Sequence, residues 1–207
     1  MATSSKGKSK GKSKARPKRP AGEPAKKSMR KAARKPAAAR AKRQAGATAD
    51  LHHEIEQFLY RQAELLDAKR WQDYIDLFSD DGVYWMPASP QDTTWDGVPA
   101  IFAEDRNLMT VRMKRVLHPD AWSQRPLWGT NHVVGNVILQ PADGAPDEVV
   151  VRSRFHMMEL RRDDVRHFAG AYTHHLKRTA DGLRIKLQRV DMTNAQAAYD
   201  YVLQVWV

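Results

Sequence analysis

Asp81, Tyr84, His132, Asn136 and His156 have the side-chain types that general acid–base chemistry uses. A carboxylate or imidazole moves a proton for a substrate only within hydrogen-bond reach of it, with a pKa tuned by burial. His132 and Asn136 stand four apart in a segment that reads as a strand, so they are expected to share one face. The plainer reading, and the one the pattern favours, makes them satisfied polar groups beneath helices or at a neighbouring subunit. Redox and metal chemistry find less material. The chain has no cysteine, which removes disulfides, thiol nucleophiles, zinc–cysteine sites and cysteine-held iron–sulfur clusters. A non-haem iron triad needs two His and a carboxylate converging on one point. His174 and His175 are adjacent in a strand and point to opposite faces, and the eight His contain no H-x-H or H-x-x-x-H pair. No metal site is expected.

A second set of residues has the chemistry of protein–protein contact. Trp85, Trp95, Trp122 and Trp128 gather in loop regions, and aromatics and Arg are enriched at interface centres. Trp85, Asp105, Arg106, Arg112, Arg115, Trp122, Arg125 and Trp128 are the expected contacts with another polypeptide. The alternative is that the Trp side chains close the mouth of this chain's own fold.

The charge is uneven. Of 35 Lys and Arg, 17 lie in residues 1–49 with one acid, Glu23, giving that segment +16. The remainder holds 18 basic and 23 acidic residues, a net of −5. Residues 1–48 carry no aromatic and almost no branched apolar side chain, so they cannot bury enough surface to offset chain entropy and are expected to be a disordered basic tail. Ser28 to Gln44 is rich enough in Ala, Arg and Lys for transient helix. The tail is a solvated appendage, a polyanion binder acting by counterion release, or absent if translation starts later, for instance at Met29. Nucleic-acid binding is not expected except non-specifically through it, since it has no aromatics for stacking. No apolar run approaches the roughly 18 residues of a membrane span, and no secretory signal is visible. A cytoplasmic protein is the expectation.

The elements that must position these residues begin near residue 50, and residues 50–207 are expected to be one domain. Leu51, Ile55, Phe58, Leu59, Leu65 and Leu66 recur at helical spacing. Trp71 to Phe78 reads as a short second helix stopped by Asp80-Asp81-Gly82, and Val83 to Met86 as a short strand. Pro99 is expected to open a third helix with Ile101, Leu108, Met109 and Val116 on one face; Asp105 and Arg112, seven apart on or beside it, suggest that this face meets another surface or that the two charges pair. Four β-prone runs follow: Asn131–Gln140, Val149–Leu160, Val165–Lys177 and Leu183–Gln188. The turn signals Asp143-Gly144, Arg162-Asp163-Asp164 and Asp181-Gly182 separate them, so they should pair antiparallel. In the last run Leu183, Ile185 and Leu187 should face opposite to Arg184, Lys186 and Gln188. The fold class is α+β: about three helices packed on a curved antiparallel sheet.

That order of elements resembles the cone of the nuclear transport factor 2 superfamily (NTF2-like, cystatin-like). Within it, Ala63-Glu64-Leu65-Leu66-Asp67 with Trp71 and Leu77-Phe78-Ser79-Asp80-Asp81-Gly82-Val83-Tyr84-Trp85-Met86-Pro87 resembles the opening of the small (β) subunits of aromatic-ring-hydroxylating dioxygenases. So do Phe102-Ala103-Glu104-Asp105-Arg106, Val111 to Val116, His132 to Val137, and Arg189 to Ala195. The family's Arg-x-Arg-His lead into the long strand stands here as Gly129-Thr130-Asn131-His132, and the long basic tail is a departure.

The resemblance implies a structural small subunit in aromatic catabolism, inactive alone. It implies a partner large (α) subunit in an α3β3 hexamer. A Rieske 2Fe-2S cluster and a mononuclear non-haem iron would lie in that partner, and electrons would come from NADH through a reductase, with or without a ferredoxin. The interface residues above would then touch the large subunit or other small subunits. The same superfamily holds dehydratases and isomerases, so the alternative function is a free-standing enzyme using Asp81, Tyr84, His132 and His156 inside the cone.

Overall fold

The computed structural model describes residues 34–140, 147–193, 195–197 and 203–207. Its contacts divide the chain into residues 1–45 and Gly46–Val207. Of the tail, residues 1–33 lie outside the described residues, as do the Asp143-Gly144 turn and Asn194. Helix α1 spans Arg34–Asp67, and the Ala, Arg, Lys and Gln of its first half are strong helix formers.

Within Gly46–Val207, α1 buries Ile55, Leu59, Gln62, Leu65 and Leu66 along one stripe. It ends with Lys69 in the left-handed region (φ 57°). The Arg70 N–H donates to Leu65 O at 2.8 Å and the Lys69 N–H to Leu66 O at 3.0 Å, the paired bonds that satisfy a helix's last carbonyls. Helix α2, Trp71–Ile75, buries Trp71, Tyr74 and Ile75.

Strand β1 covers Phe78–Pro87 and β2 covers Ala100–Asp105. Both correct the sequence expectations. The second helix stops before Phe78, and the segment after Pro99 is strand because it pairs with β1, Met86 opposite Phe102. Helix α3, Arg106–Leu117, starts only where Asp105, itself extended, accepts a hydrogen bond from the Leu108 N–H at 2.8 Å. Asp105 is therefore a helix cap and does not pair with Arg112. A 3-10 turn, Trp122–Gln124, precedes the long strands β3 (Gly129–Gln140), β4 (Glu148–Arg161), β5 (Asp164–Thr179) and β6 (Gly182–Met192).

The six strands form one sheet in the order β2-β1-β6-β5-β4-β3. The four long strands pair antiparallel as expected, but β1 lies parallel to β6, so the sheet is mixed. Two irregularities decide which side chains face inward. The β3–β4 pairing shifts between Gly135 and Ile138, where Asn136 has φ 53°. An inserted residue flips the facing of everything beyond it. Hence His132 is buried while Asn136 is exposed, and the two do not share a face. A second shift between His175 and Leu176 sets Gln188 inward with Ile185, so Gln188 is buried and Leu187 only half-buried. The core lies between the inward sheet face and the helices, around Tyr74, Phe78, Met109, Phe155, Met157, Tyr172 and Ile185.

Candidate functional site

Polar side chains enter this apolar interior at a few points, each tied to another element. Asp67, at the end of α1, meets edge strand β3. Its Oδ2 accepts from the His132 backbone N–H at 2.8 Å, and its Oδ1 lies 2.6 Å from His132 Nδ1. Burial works against ionisation of Asp67, but hydrogen bonds from His132 and Thr130 outweigh it and hold the carboxyl below its ordinary range. The His132 ring is almost wholly buried, and its Nε2 has no partner among the described residues. The gap beside it, lined by Leu59, Gln62, Ala63, Leu66, Val134 and Tyr172, leaves no room for a water molecule.

On β5, His174 Nε2 lies 3.1 Å from Gln62 Oε1 of α1. Burial, aided by neighbouring His175, depresses the His174 pKa to about 3, so the ring is neutral and Nε2–H donates. The Tyr74 hydroxyl donates to Gln188 Oε1 at 3.0 Å, and the Tyr84 hydroxyl accepts from the Val207 N–H at 3.4 Å. Burial pushes the phenols of Tyr74, Tyr84 and Tyr172 above their usual value.

A second cluster fastens the end of the chain. Arg112 of α3 donates to Glu104 Oε2 (3.1 Å), Gln204 O (3.3 Å) and Val205 O (3.0 Å). Its guanidinium lies over the Phe102 ring at 3.8 Å and the Trp206 ring at 4.9 Å. Trp206 Nε1 donates to the same Glu104 oxygen at 3.0 Å. Sequence reasoning missed Asp67, Gln62, Glu104 and Trp206. Their one available signal was a polar, ionisable or aromatic residue on an otherwise apolar stretch, which does not name a partner.

The four residues proposed for catalysis are not brought together. Asp81 is exposed and accepts from the Ser79 hydroxyl. His156 lies on the outer sheet face, stacked on His167 at 5.2 Å between centroids. Only Tyr84 and His132 are buried, and among the described residues no hydrogen bond joins any two of the four.

The expected interface set also divides. Trp85 is buried within this chain, against Trp95 (6.2 Å) and beneath Arg189 (4.5 Å), which donates to the Asp92 and Pro90 carbonyls of the covering loop. Trp128 is buried with its Nε1 on Gln124 and Arg161 over its ring. With Arg112 in its cluster, these three side chains are held by contacts within this chain. Arg106 bridges Asp76 and Asp80, and Arg125 reaches the Pro119 carbonyl. Arg115 and Trp122 remain turned outward, Trp122 at 81% exposure.

These residues do not fit a Rieske cluster, which needs cysteine thiolates that the chain lacks. Among the described residues no group of three His, Cys, Asp or Glu side chains is placed to hold a metal ion. Among the described residues, no helix is long and apolar enough to cross a membrane.

The family described as ring hydroxylating beta subunit matches residues 61–197. The chain is 31% identical to the biphenyl 2,3-dioxygenase subunit beta of Rhodococcus jostii RHA1 over 71% of its own length and 83% of that protein. It is 32% identical to the anthranilate 1,2-dioxygenase small subunit of Acinetobacter baylyi ADP1, covering 70% and 91%. Among solved structures, a chain of naphthalene 1,2-dioxygenase superposes with a TM-score of 0.66 at 19% identity, over 77% of this chain and 86% of that one. The beta subunit of benzoate 1,2-dioxygenase from Burkholderia mallei superposes with a TM-score of 0.58 at 27% identity, covering 72% and 95%. The architecture is thus the NTF2-like cone, and the chain belongs to the ring-hydroxylating dioxygenase β-subunit family.

Proposed function

We propose that this chain is a non-catalytic small subunit, of cytoplasmic location, that supports a large oxygenase subunit in the dihydroxylation of an aromatic compound, three copies of each forming the assembly. The iron–sulfur cluster and the mononuclear iron belong to the large subunit, which receives electrons from NADH through a reductase. One observation carries the reading. The polar pairs Asp67–His132, Gln62–His174 and Tyr74–Gln188 join α1 and α2 to the sheet, and the gap beside His132 admits no water, so it admits no substrate. An acid–base site needs a space for the reacting atom next to the base.

Co-production with a large subunit, recognised by its bound iron–sulfur centre, tests this. The two should elute together in size-exclusion chromatography and oxidise an aromatic substrate, while this chain alone turns over none. Turnover by the purified chain alone, or separate elution of the two, removes the proposal.

A further inference from the structure

Among the described residues the chain exposes a large groove. It has a volume of about 940 Å³ and runs between β2, α3, the segment from His118 to Gln124, and Leu203–Gln204. On its α3 wall, Leu108 and Val111 are 52% and 54% exposed. Three residues apart, they share one side of the helix, and Arg115, four residues further on, continues it. Trp122, the most exposed of the large apolar side chains, stands between the lining residues Ala121 and Ser123. Large apolar side chains gathered beside a concavity mark a contact surface rather than solvated chain.

The charges of the groove select the partner. Glu104 is matched by Arg112, and His118 faces Asp120 at 4.0 Å. Lys114 and Arg115 have no acidic partner among the described residues. The groove is therefore apolar and cationic, on a domain whose residues 50–207 carry a net −5.

We infer that this groove seats a segment of the large oxygenase subunit, one that presents aliphatic or aromatic side chains to Leu108, Val111 and Trp122 and a carboxylate to Lys114 and Arg115. The assignment rests on the functional proposal above and names the surface through which it works. Opposite charge at the rim speeds encounter and fixes orientation, and the apolar ridge supplies the desolvated centre.

The test uses the full chain co-produced with the large subunit. Val111→Glu and Arg115→Glu lie on the outward wall of α3 and should leave the circular dichroism and melting temperature of the isolated chain unchanged. Each is expected to weaken assembly at least tenfold, and Val165→Glu, on the outer sheet face, should assemble as the unaltered chain does. A photo-crosslinking residue at position 111 should join a large-subunit peptide that contains Asp or Glu. Normal assembly by both folded groove variants overturns the inference and leaves the functional proposal standing. So does a crosslink to this chain's own N-terminal segment or to a second copy of it. If the unaltered chain assembles with no iron–sulfur large subunit, both fall.

Discussion

Asp67 holds His132 twice, by its backbone N–H and by its ring, and so fastens the last turn of α1 to the free edge of the sheet. An unpaired edge strand invites another chain to add to it. Here a carboxylate occupies one edge N–H, and His52 Nε2 meets the Val137 carbonyl at 3.0 Å farther along the same strand. A pair that looks like an acid–base dyad is a seam between helix and sheet.

Asp67→Ala leaves the buried His132 N–H and ring without their acceptor. Losing buried hydrogen bonds of this kind costs about 1–3 kcal/mol. Urea unfolding should show a loss near 2 kcal/mol with an unchanged slope on denaturant. A change under 0.5 kcal/mol would mean the seam is dispensable.

Arg112→Met should cost more, about 3 kcal/mol, because it strands the nearly buried Glu104 carboxylate and frees the carbonyls of residues 204 and 205. Arg112→Lys should recover only part of this, since an ammonium cannot form the fork or lie flat on Phe102 and Trp206. Trp206 emission in the two variants reports the release of the chain end.

His174 gives the fold an acid sensitivity. Its folded pKa, about 3, lies below the roughly 6.5 of an unfolded histidine. The unfolded state therefore binds the extra proton, and stability present above pH 6.5 is lost as pH falls toward 3, at about 1.4 kcal/mol per pH unit. His175, also lowered by burial, adds in the same direction. Glu159, raised by burial despite Arg166, opposes above its ordinary value. Unfolding measured from pH 7 to 4 should show the slope, and His174→Gln should remove most of it. An equal slope in the variant would contradict the assignment.

Lys69→Gly is expected to stabilise by about 0.5–1 kcal/mol, because a non-glycine residue is strained in the left-handed position that closes α1. A rise in Tm confirms it. A fall would show that the Lys69 side chain, which lines the small slot beside Trp71 and Trp128, matters more than the backbone.

Much of this was legible in the residues. The apolar stripe from Leu51 to Leu66, the four long strands and the turns at Arg162-Asp163 and Asp181-Gly182 were placed by periodicity and by turn chemistry. The segment Ala100–Asp105 was not, because Pro99 and the apolar residues after it suit a helix start as well as a strand, and only pairing with β1 decides. The parallel contact of β1 with β6 is likewise invisible to local patterns. Alternation misplaced Asn136 and Gln188 because a bulge adds one residue without a compositional mark, beyond an Asn able to adopt positive φ. The interior polar pairs join residues 65 to 114 positions apart, a distance over which spacing carries no information.

Turnover by the assembled oxygenase containing His132→Asn or Asp67→Asn in this subunit tests the central claim most directly. With assembly verified by size-exclusion, product formation per iron centre should stay within about twofold of the unaltered complex. A fall of a hundredfold or more in an intact assembly, the scale on which removing an acid–base group acts, would contradict a non-catalytic role.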